Sequence, residues 1–439
     1  MLYPNPDSKS AAIFAEAQRV LTEGGSRSTI RIAPYSLYVQ SAQGKYVTDV
    51  DGNRLFDFNN NYTSMIHGHA HPHVVAAAIR QIKSGTGFSF GSQAELALAE
   101  LLCDRSDNFD RIRFMNSGTE AVMKAIKAAR AYTDRPKIAK CENAYHGSYD
   151  FAEVSLGVPV TNPADGDPVS KGYSRGTPQG VLDSVVVIPP DDTAAAKRIL
   201  EEHADELAGV LVDPIGLGQG RFPLPDDFLP MVQAFCRDSG ALFISDEVVA
   251  YRAGPAGAQV DKGLKPDVTA LGKIIGGGFP VGAVAGRAEV MAVFEAGDGR
   301  ALLPHGGTYN ANPVSMAAGF AAMELMTDAA FERLNKLGEA FRQGCRDVLA
   351  ATDADGDVQG QYSLFGLSLR EPVLADTAAR GVTYRSRGLH QYMVQHGYWL
   401  SPGMAGVCST VMDEGDVAPF CETLESGIRE LREQQSSAA

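Results

Sequence analysis

A lysine that ends an apolar run and precedes a cluster of glycines carries the sharpest chemical signal in the sequence. Lys273 follows residues 268–271 and comes shortly before Gly276, Gly277 and Gly278. Three consecutive glycines cost backbone entropy on folding, so they indicate tight turns or close backbone approach. A strand-end lysine with little solvent can have a lowered pKa, which suits Schiff-base chemistry with an aldehyde. A flexible loop with a solvated lysine is the alternative, and this segment alone favours neither.

Two acidic residues end a second apolar run. Asp246 and Glu247 follow residues 241–245, and the carboxyl edge of a strand is where open α/β sheets bind ligands. A carboxylate here could face a protonated ring nitrogen and hold it cationic, which lets a cofactor ring withdraw electrons. Capping of the next element by Asp246 is the ordinary alternative.

Two further segments could hold the phosphate and the ring of a cofactor. Ser117, Gly118 and Thr119 occupy a strand-to-helix turn, where backbone N–H groups and a helix N-terminus can bind phosphate. The turn lacks the G-K-[ST] sequence of a Walker P-loop, and a simple helix cap is its alternative explanation. Tyr145 and His146 precede a glycine; the flat ring of Tyr145 could stack on a planar cofactor, and a core tyrosine is the alternative.

Together, and in this order, these motifs resemble those of the class III aminotransferases of fold type I, which use pyridoxal 5′-phosphate (PLP). The likeness extends from about residue 20 to about residue 420 and is densest over residues 116–319. Residues 266–278 nearly reproduce the family's lysine motif, and residues 54–72, with the landmark at 68–72, are also similar. Within the class, the sequence resembles glutamate-1-semialdehyde 2,1-aminomutases and the β-phenylalanine and D-phenylglycine aminotransferases.

The resemblance implies a role for each motif residue. Lys273 is then the Schiff-base lysine and general base, and Asp246 pairs with the pyridinium nitrogen. The implied cofactor-binding residues are Ser117, Gly118, Thr119, Tyr145, His146, Asp246, Val248, Lys273 and Thr308. Thr308 is the residue that would reach the phosphate in the partner subunit, so the resemblance also implies a homodimer with shared active sites. Asp213 stands where the family's Val-Glu-Pro triplet has Glu, and no role is predicted for it.

Substrate recognition is carried by fewer residues. Arg27 corresponds to an arginine of the β-phenylalanine aminotransferases and Arg31 to one of the aminomutases, and a guanidinium fork suits a carboxylate. A surface charge or a domain-interface pair is the alternative for each. Tyr62 resembles the β-amino-acid branch, and Met404 indicates an apolar pocket wall, because residues 400–405 contain no arginine.

These residues predict a PLP-dependent transaminase that moves an amino group between an amino acid (β- or aromatic ones included) or amine and a keto acid. An aminomutase acting on an amino-aldehyde acid is the first alternative, and an amino-acid racemase on the same fold is the second. A non-catalytic binding protein is the alternative from another class, and the presence of both Lys273 and Asp246 argues against it.

Composition and charge exclude several other classes of protein. The chain has 439 residues, with 39 Lys and Arg against 53 Asp and Glu, and its net charge of −14 repels nucleic acid and anionic membranes. Its six cysteines form no C-x-x-C pair, which is typical of a reduced, cytoplasmic protein. The sequence contains no signal peptide and no apolar run of 18 residues, so we expect a soluble protein.

Four histidines at alternating positions do not indicate a metal centre. His67, His69, His71 and His73 lie two residues apart, and such a strip closes a tetrahedral site poorly without ligands from elsewhere. We therefore expect no bound metal.

The site residues require a sheet that brings several strand ends together. Apolar strands alternate with helices from about residue 85 to 325, which predicts an α/β unit with a mostly parallel sheet covered on both faces. Strands are predicted at residues 111–115, 184–188, 209–212, 241–245 and 268–271, and helices at 94–102, 120–132, 317–326, 331–349 and 417–433. Ser8 is predicted to cap a first helix that ends at Gly24, and residues 37–58 predict an antiparallel meander.

This organisation predicts two domains, and the resemblance to the class III aminotransferases implies that they form a fold type I PLP-dependent transferase. The large PLP-binding domain is expected over residues 60–325. The small α+β domain is expected to form from both ends of the chain, residues 1–59 and 326–439.

Overall fold

The computed structural model describes residues 3–157, 161–162, 166–216, 224–371 and 387–438. The chain divides into two compact units: Met1–Pro72 with Arg333–Ala439 form the first, and His73–Glu332 form the second. The sequence predicts this division at residues 60 and 325. None of the helices within these ranges is long and apolar enough to span a lipid bilayer.

The strands of the described residues are, in chain order, β1 (Val39–Gln43), β2 (Tyr46–Asp49), β3 (Arg54–Asp57), β4 (Arg111–Met115), β5 (Lys137–Cys141), β6 (Val185–Ile188), β7 (Leu207–Val212), β8 (Leu242–Asp246), β9 (Val268–Gly272), β10 (Gly282–Gly286), β11 (Gly356–Gln359), β12 (Leu364–Leu369), β13 (Tyr398–Trp399) and β14 (Ala405–Val407).

The helices, several of which are single turns, are α1 (Lys9–Ala17), α2 (Asn60–Thr63), α3 (Pro72–Ser84), α4 (Gln93–Cys103), α5 (Gly118–Thr133), α6 (Asp150–Glu153), α7 (Gln179–Leu182), α8 (Thr193–Glu202), α9 (Phe228–Ser239), α10 (Ala258–Asp261), α11 (Ala288–Met291), α12 (Pro313–Glu324), α13 (Asp328–Thr352), α14 (Arg387–Gln395) and α15 (Val417–Ala438).

A seven-stranded sheet forms the centre of the second unit, within the described residues, in the order β4-β10-β9-β8-β7-β5-β6. The strands from β9 to β6 pair in parallel, whereas β10 is antiparallel to both β4 and β9. Every residue of β7 and β8 is buried, as parallel strands covered on both faces require. The predicted α/β class and the mostly parallel sheet are confirmed.

Helices cover both faces of this sheet. Leu211 of β7 belongs to a buried cluster with α5 on one face, and its neighbour Val210 belongs to a cluster with α8 and α9 on the other. Successive residues of a strand point to opposite faces, so an apolar run supplies both clusters. The strand ends that carry the site residues are thereby fixed by core packing.

The first unit combines a small sheet with an aromatic core. Strands β1, β2 and β3 form the predicted antiparallel meander, and β13 adds to β3 in parallel. Four phenylalanines from distant parts of the chain pack with ring centroids 4.9 to 5.7 Å apart; they are Phe58, Phe341, Phe365 and Phe420. This cluster joins the N-terminal meander to α13, β12 and α15.

The predicted first helix is too long. Ser8 caps α1, its hydroxyl accepting the N–H of Ala11 at 3.1 Å, but the helix ends at Ala17 rather than at Gly24. Val20 and Leu21 lie beyond it and are 81% and 42% exposed. The chain leaves the helix through turns closed by i→i−3 backbone bonds over residues 19 and 20, so the apolar spacing there does not continue a helical face.

Candidate active site

Three neighbouring parallel strands end beside one another at the candidate site. Strands β7, β8 and β9 are adjacent in the sheet, and Asp213, Asp246 and Lys273 stand at or just after their carboxyl ends. Because parallel strands end at the same edge, this topology concentrates two carboxylates and an amine there. The sequence predicts no role for Asp213, because its proximity to Lys273 follows only from strand order.

Lys273 has a strained backbone and a buried amine. Its φ is 50°, a left-handed conformation that non-glycine residues rarely adopt outside functional sites and turns. Burial lowers the pKa of the Lys273 amine, although the carboxylates of Asp246 and Asp213 oppose that shift, and the Arg252 guanidinium adds to it. A lowered pKa increases the fraction of neutral amine, which is the nucleophilic form.

The glycines after Lys273 serve close packing rather than a flexible loop. Gly277 has φ 58°, and a Cβ built on it would lie 2.4 Å from the carbonyl oxygen of Ala318 in α12. A Cβ on Gly276 would lie 2.5 Å from the side chain of Val281. Both positions therefore exclude larger side chains, and the segment after Lys273 is fixed against α12.

His146 orients the carboxylate of Asp246. The Nδ1 of His146 lies 2.7 Å from Oδ2 of Asp246, and Oδ1 of Asp246 accepts the N–H of Val248 at 3.0 Å. Burial lowers the pKa of His146, although the hydrogen bond to Asp246 opposes that shift. A neutral imidazole facing a carboxylate carries its proton on Nδ1. Among the described residues no group hydrogen-bonds the buried Nε2.

Glu247 points away from this pair and holds another segment. Its carboxyl oxygens accept the N–H groups of Ala258 and Gln259 at 3.0 and 2.8 Å. The pKa of Glu247 is raised to about 8, chiefly by burial; the carboxylates of Asp213 and Asp246 add to the rise, and the two hydrogen bonds oppose it. Of the two acids that end β8, Asp246 is therefore the one available to a ligand at the strand edge.

The turn at residues 117–119 presents free backbone donors at the start of α5. The hydroxyl of Ser117 accepts the N–H of Glu120 at 3.2 Å and caps the helix. Within the described residues the structure gives the N–H groups of Gly118 and Thr119 no acceptor. A helix N-terminus with unpaired N–H groups is an anion site.

Small residues shape the space above this turn. A Cβ on Gly118 would lie 2.7 Å from the side chain of Val248. Gly147, with φ 89°, allows the chain to approach Thr119 so closely that a Cβ would lie 2.6 Å from the threonine hydroxyl. Tyr145 is 52% exposed, so its ring has a free face.

A side-chain network fixes the segment that carries Thr308. Asn310 contacts Asn116 and His305, each at 2.9 Å, and Arg113 Nε donates to His305 Nδ1 at 2.8 Å. Burial lowers the pKa of His305 to about 4, and the nearby Lys124 and Arg113 cations lower it too, so the ring is neutral at pH 7. Thr308 itself is exposed. The sequence did not single out this network, whose members are separated by up to 197 residues (113 to 310).

The residues predicted to bind substrate lie in the first unit, whereas those predicted to bind the cofactor lie in the second. Arg31 is engaged in an exposed ion pair with Glu23 at 2.5 Å. Arg27 instead donates to the side-chain amide of Asn61 at 2.9 Å. The hydroxyl of Tyr62 donates to the carbonyl of Thr29, and the side chain of Met404 is fully buried.

Three of the four histidines pair with three different residues, and the ring of His71 packs against that of His67 with centroids 5.3 Å apart. His67 Nδ1 lies 2.9 Å from the hydroxyl of Thr410, and His69 Nε2 lies 2.7 Å from Oδ2 of Asp57. His73 pairs with Glu324 at 2.5 Å. In the described part of the chain, no group of three or more His, Cys, Asp or Glu residues could hold a metal ion.

The donor set at the strand edge fits PLP. The site offers an amine of lowered pKa, a carboxylate held in place by His146, unpaired N–H groups for a phosphate and glycines that allow close backbone approach. These are the groups that an aldehyde, a pyridine nitrogen and a phosphate ester require.

Comparison with known proteins gives one consistent family. The sequence pattern of the class-III aminotransferases matches residues 31–401. A curated relative, glutamate-1-semialdehyde 2,1-aminomutase of Methanosphaera stadtmanae, is 33% identical over 429 residues, covering 96% of this chain and 99% of that protein.

Three solved structures are also similar over nearly the whole chain. An omega-transaminase from Sphaerobacter thermophilus is 45% identical with a TM-score of 0.92, covering 98% of this chain and 99% of that one. A transaminase solved with PLP bound is 41% identical with a TM-score of 0.88, covering 96% and 97%. A β-phenylalanine aminotransferase from Variovorax paradoxus is 31% identical with a TM-score of 0.84, covering 96% and 94%.

Proposed function

Because this chain belongs to the class-III aminotransferase family and is a PLP-dependent enzyme, we propose that it is a transaminase for carboxylate-bearing amino donors. The donor carries an apolar or aromatic group, and the acceptor is a keto acid. The observation that carries the proposal is the pair formed by a left-handed Lys273 with a buried amine and a His146-oriented Asp246 at neighbouring strand ends.

Lys273 and Asp246 supply the chemistry of the reacting centre in this proposal. When bound, PLP supplies an aldehyde that bonds amines and a ring that withdraws electrons from the adjacent carbon. The Nζ of Lys273 would hold the cofactor covalently, and as a free amine it would move the substrate proton as general base. Asp246 keeps the ring nitrogen protonated, and His146 keeps the Asp246 carboxylate in place.

The remaining cofactor residues bind and orient. Ser117, Gly118 and Thr119 hold the phosphate through the N-terminus of α5, which supplies dipoles rather than cationic side chains. Val248 and Tyr145 would pack against the cofactor ring in this proposal. The contact between Val248 and Gly118 supports that placement, since it puts Val248 beside the phosphate turn.

Arg27 is the proposed carboxylate-binding residue. Arg31 is already paired with the Glu23 carboxylate, whereas the partner of Arg27 is a neutral amide. The guanidinium of Arg27 therefore keeps its net charge for a substrate carboxylate. The structural similarity to a β-phenylalanine aminotransferase supports a carboxylate-bearing donor, and Met404 remains the proposed contribution to an apolar wall.

A homodimer completes the proposed site through Thr308. The second unit exposes Phe90, Leu302 and Tyr309 by 86%, 73% and 67%. Asn312 donates to the carbonyl of Thr86 at 2.8 Å, which ties the segment of Thr308 to the segment of Phe90. Exposed apolar side chains on two joined segments are typical of a protein interface, and Thr308 lies among them.

We also place the enzyme in the cytoplasm. All six cysteines are free thiols, which suits a reducing compartment.

Separated half-reactions test the transaminase proposal. A donor such as β-phenylalanine, given alone, should change the absorption spectrum of the holoenzyme and release one equivalent of keto product per subunit. Pyruvate or 2-oxoglutarate should then restore the spectrum. A K273A variant is the control and should release no product. Failure of every amino donor to change the spectrum would overturn the proposal.

An aminomutase is the second candidate, because the curated relative bears that name at 33% identity. Both transaminases solved at 45% and 41% identity share more of this sequence, which supports the transaminase. An aminomutase would convert an amino-aldehyde acid to its isomer with no added acceptor, so incubation with glutamate-1-semialdehyde alone distinguishes the two activities.

A further inference from the structure

Four consecutive residues of α2 adopt a left-handed backbone. The φ angles of Asn60, Asn61, Tyr62 and Thr63 are 48°, 48°, 53° and 74°. Asparagine tolerates this conformation, but it is unfavourable for an aromatic residue and more so for a β-branched one. Strain of this kind persists only where the surrounding structure over-determines it, and it accumulates at functional sites.

Neighbouring side chains hold the turn in this conformation. The buried amide of Asn60 donates to the carbonyl oxygens of Asp57 and Val407, each at 3.0 Å. The side-chain oxygen of Asn59 accepts the N–H of Tyr62 at 2.7 Å. Oδ1 of Asp57 accepts the N–H groups of Asn59 and Asn60 at 2.9 and 3.0 Å. Hydrogen bonds to Asp57, Asn59 and Val407 therefore hold the turn in place.

The α2 turn also holds the segment that carries Arg27. Oδ1 of Asn61 accepts from Nη1 of Arg27 at 2.9 Å, and the hydroxyl of Tyr62 donates to the carbonyl of Thr29. The Asn61 amide is itself oriented, because its Nδ2 donates to the hydroxyl of Ser64 at 3.2 Å. Two bonds from adjacent left-handed residues thus fix one three-residue segment.

We propose that Asn61 is a positioning residue that fixes the Arg27 guanidinium for the substrate carboxylate, and that the strain in α2 is retained for this purpose. The inference rests on the proposed function of Arg27. A neutral amide is suited to the task because it occupies one N–H of the guanidinium without cancelling its charge. A carboxylate in the same place would form an ion pair, as Glu23 does with Arg31, and would compete with the substrate.

Two substitutions of Asn61 distinguish the effect of positioning the Arg27 guanidinium from the effect of its charge. Asn61→Ala removes the bond and leaves the guanidinium charged but unfixed, whereas Asn61→Asp keeps an acceptor there and neutralises the charge. We expect each to raise KM for β-phenylalanine about tenfold, or about 1.4 kcal/mol, with kcat unchanged. KM and kcat for 1-phenylethylamine, which has no carboxylate, should be unchanged, as should the absorption spectrum of the bound cofactor. Glu23→Gln is the matched control and should affect neither donor.

The Arg27→Ala variant separates failure of this inference from failure of the proposed function. If Arg27→Ala leaves the preference for acid over amine unchanged, the carboxylate is not bound by Arg27, and the proposed function fails in this respect. If Arg27→Ala abolishes the preference but neither Asn61 variant changes it, the positioning role of Asn61 is wrong. We expect the Arg27→Ala/Asn61→Ala double variant to match Arg27→Ala alone. An additional loss in the double variant, or an equal loss with 1-phenylethylamine, would show that Asn61 acts elsewhere.

Discussion

At the scale of single residues, the site depends on what surrounds each titratable group. The Asp246 carboxylate is oriented by the side chain of His146, 100 residues earlier in the chain, and by the N–H of Val248. The carboxyl group of the neighbouring Glu247 instead accepts hydrogen bonds from two backbone N–H groups. Adjacent acids at one strand end therefore have different roles, and the difference comes from the side of the strand on which each lies.

Asp246→Asn tests the electronic role of the first acid. An amide cannot hold a ring nitrogen cationic, so we expect turnover to fall by about two orders of magnitude or more while cofactor remains bound. Steady-state kinetics and the cofactor-to-protein ratio measure the two effects.

Asp267→Asn is the matched control for this change. Asp267 accepts the N–H of Phe243 at 2.7 Å and pairs with Arg287 at 2.9 Å, before the start of β9. Its loss should lower stability and leave turnover close to wild type. Comparable turnover in the two variants would contradict the role of Asp246.

Lys140 should make stability rise with pH in the alkaline range. Its Nζ is buried in β5 and donates to the carbonyls of Cys141 and Val154, each at 2.9 Å. Burial lowers the Lys140 pKa to about 8, whereas an unfolded lysine titrates at about 10.4. The unfolded state therefore binds more protons between these values, and stability increases as pH rises through that window.

A Lys140→Met variant lacks this titrating group, so its stability should not show this increase with pH. Relative to the variant, the wild-type free energy of unfolding should gain up to about 3 kcal/mol between pH 8 and 10.5. Urea unfolding across this range measures the difference. A constant difference between the two proteins would show that Lys140 has an ordinary pKa in the folded state.

At the scale of elements, the apolar runs predicted most of the central sheet. The strand expected at residues 111–115 has the bounds of β4, and the other predicted strands and helices lie within a few residues of β6 to β9, α4, α5, α12, α13 and α15. Strands β5 and β10 were missed. β5 contains Lys137 and Lys140, and β10 consists of Gly, Ala and Val, so neither shows a strong apolar strand pattern.

Some parts of the candidate site could be predicted from local sequence, and others could not. Lys273, Asp246 and the turn at Ser117 were predicted because local sequence marks a strand end or a helix start. The network of Asn310 and His305, and the left-handed α2 turn, depend on contacts between distant segments, which periodicity does not encode.

Gly277→Ala tests whether the glycine cluster serves packing rather than flexibility. Gly263 also has a left-handed φ, 65°, but a Cβ there meets nothing within 4 Å, whereas a Cβ on Gly277 would lie 2.4 Å from a backbone oxygen. We expect Gly263→Ala to cost about 1 kcal/mol from backbone strain and Gly277→Ala about 2–4 kcal/mol from strain and overpacking. Urea unfolding of both variants measures this. Equal losses would indicate that α12 does not constrain the segment after Lys273.

At the scale of the whole molecule, the proposed homodimer makes activity depend on association of two subunits. Phe90→Glu combined with Leu302→Glu places charges on the exposed apolar segments, so we expect a monomer that has lost activity, because Thr308 no longer reaches a partner subunit. Sedimentation velocity and turnover measure the two. Val20→Glu is the matched control, since Val20 is 81% exposed in the first unit, and it should remain dimeric and active. A wild-type protein that is active while sedimenting as the 46.7 kDa chain would contradict the shared site.

Borohydride reduction followed by peptide mapping tests whether the amine of Lys273 holds the cofactor. Reduction converts a carbon–nitrogen double bond between an amine and the cofactor aldehyde into a stable single bond, so the modified residue survives digestion and can be identified by mass. We expect a phosphopyridoxyl group on the peptide that contains Lys273, and no labelling of that peptide in the K273A variant. A phosphopyridoxyl group on another lysine, such as Lys140, would contradict the account.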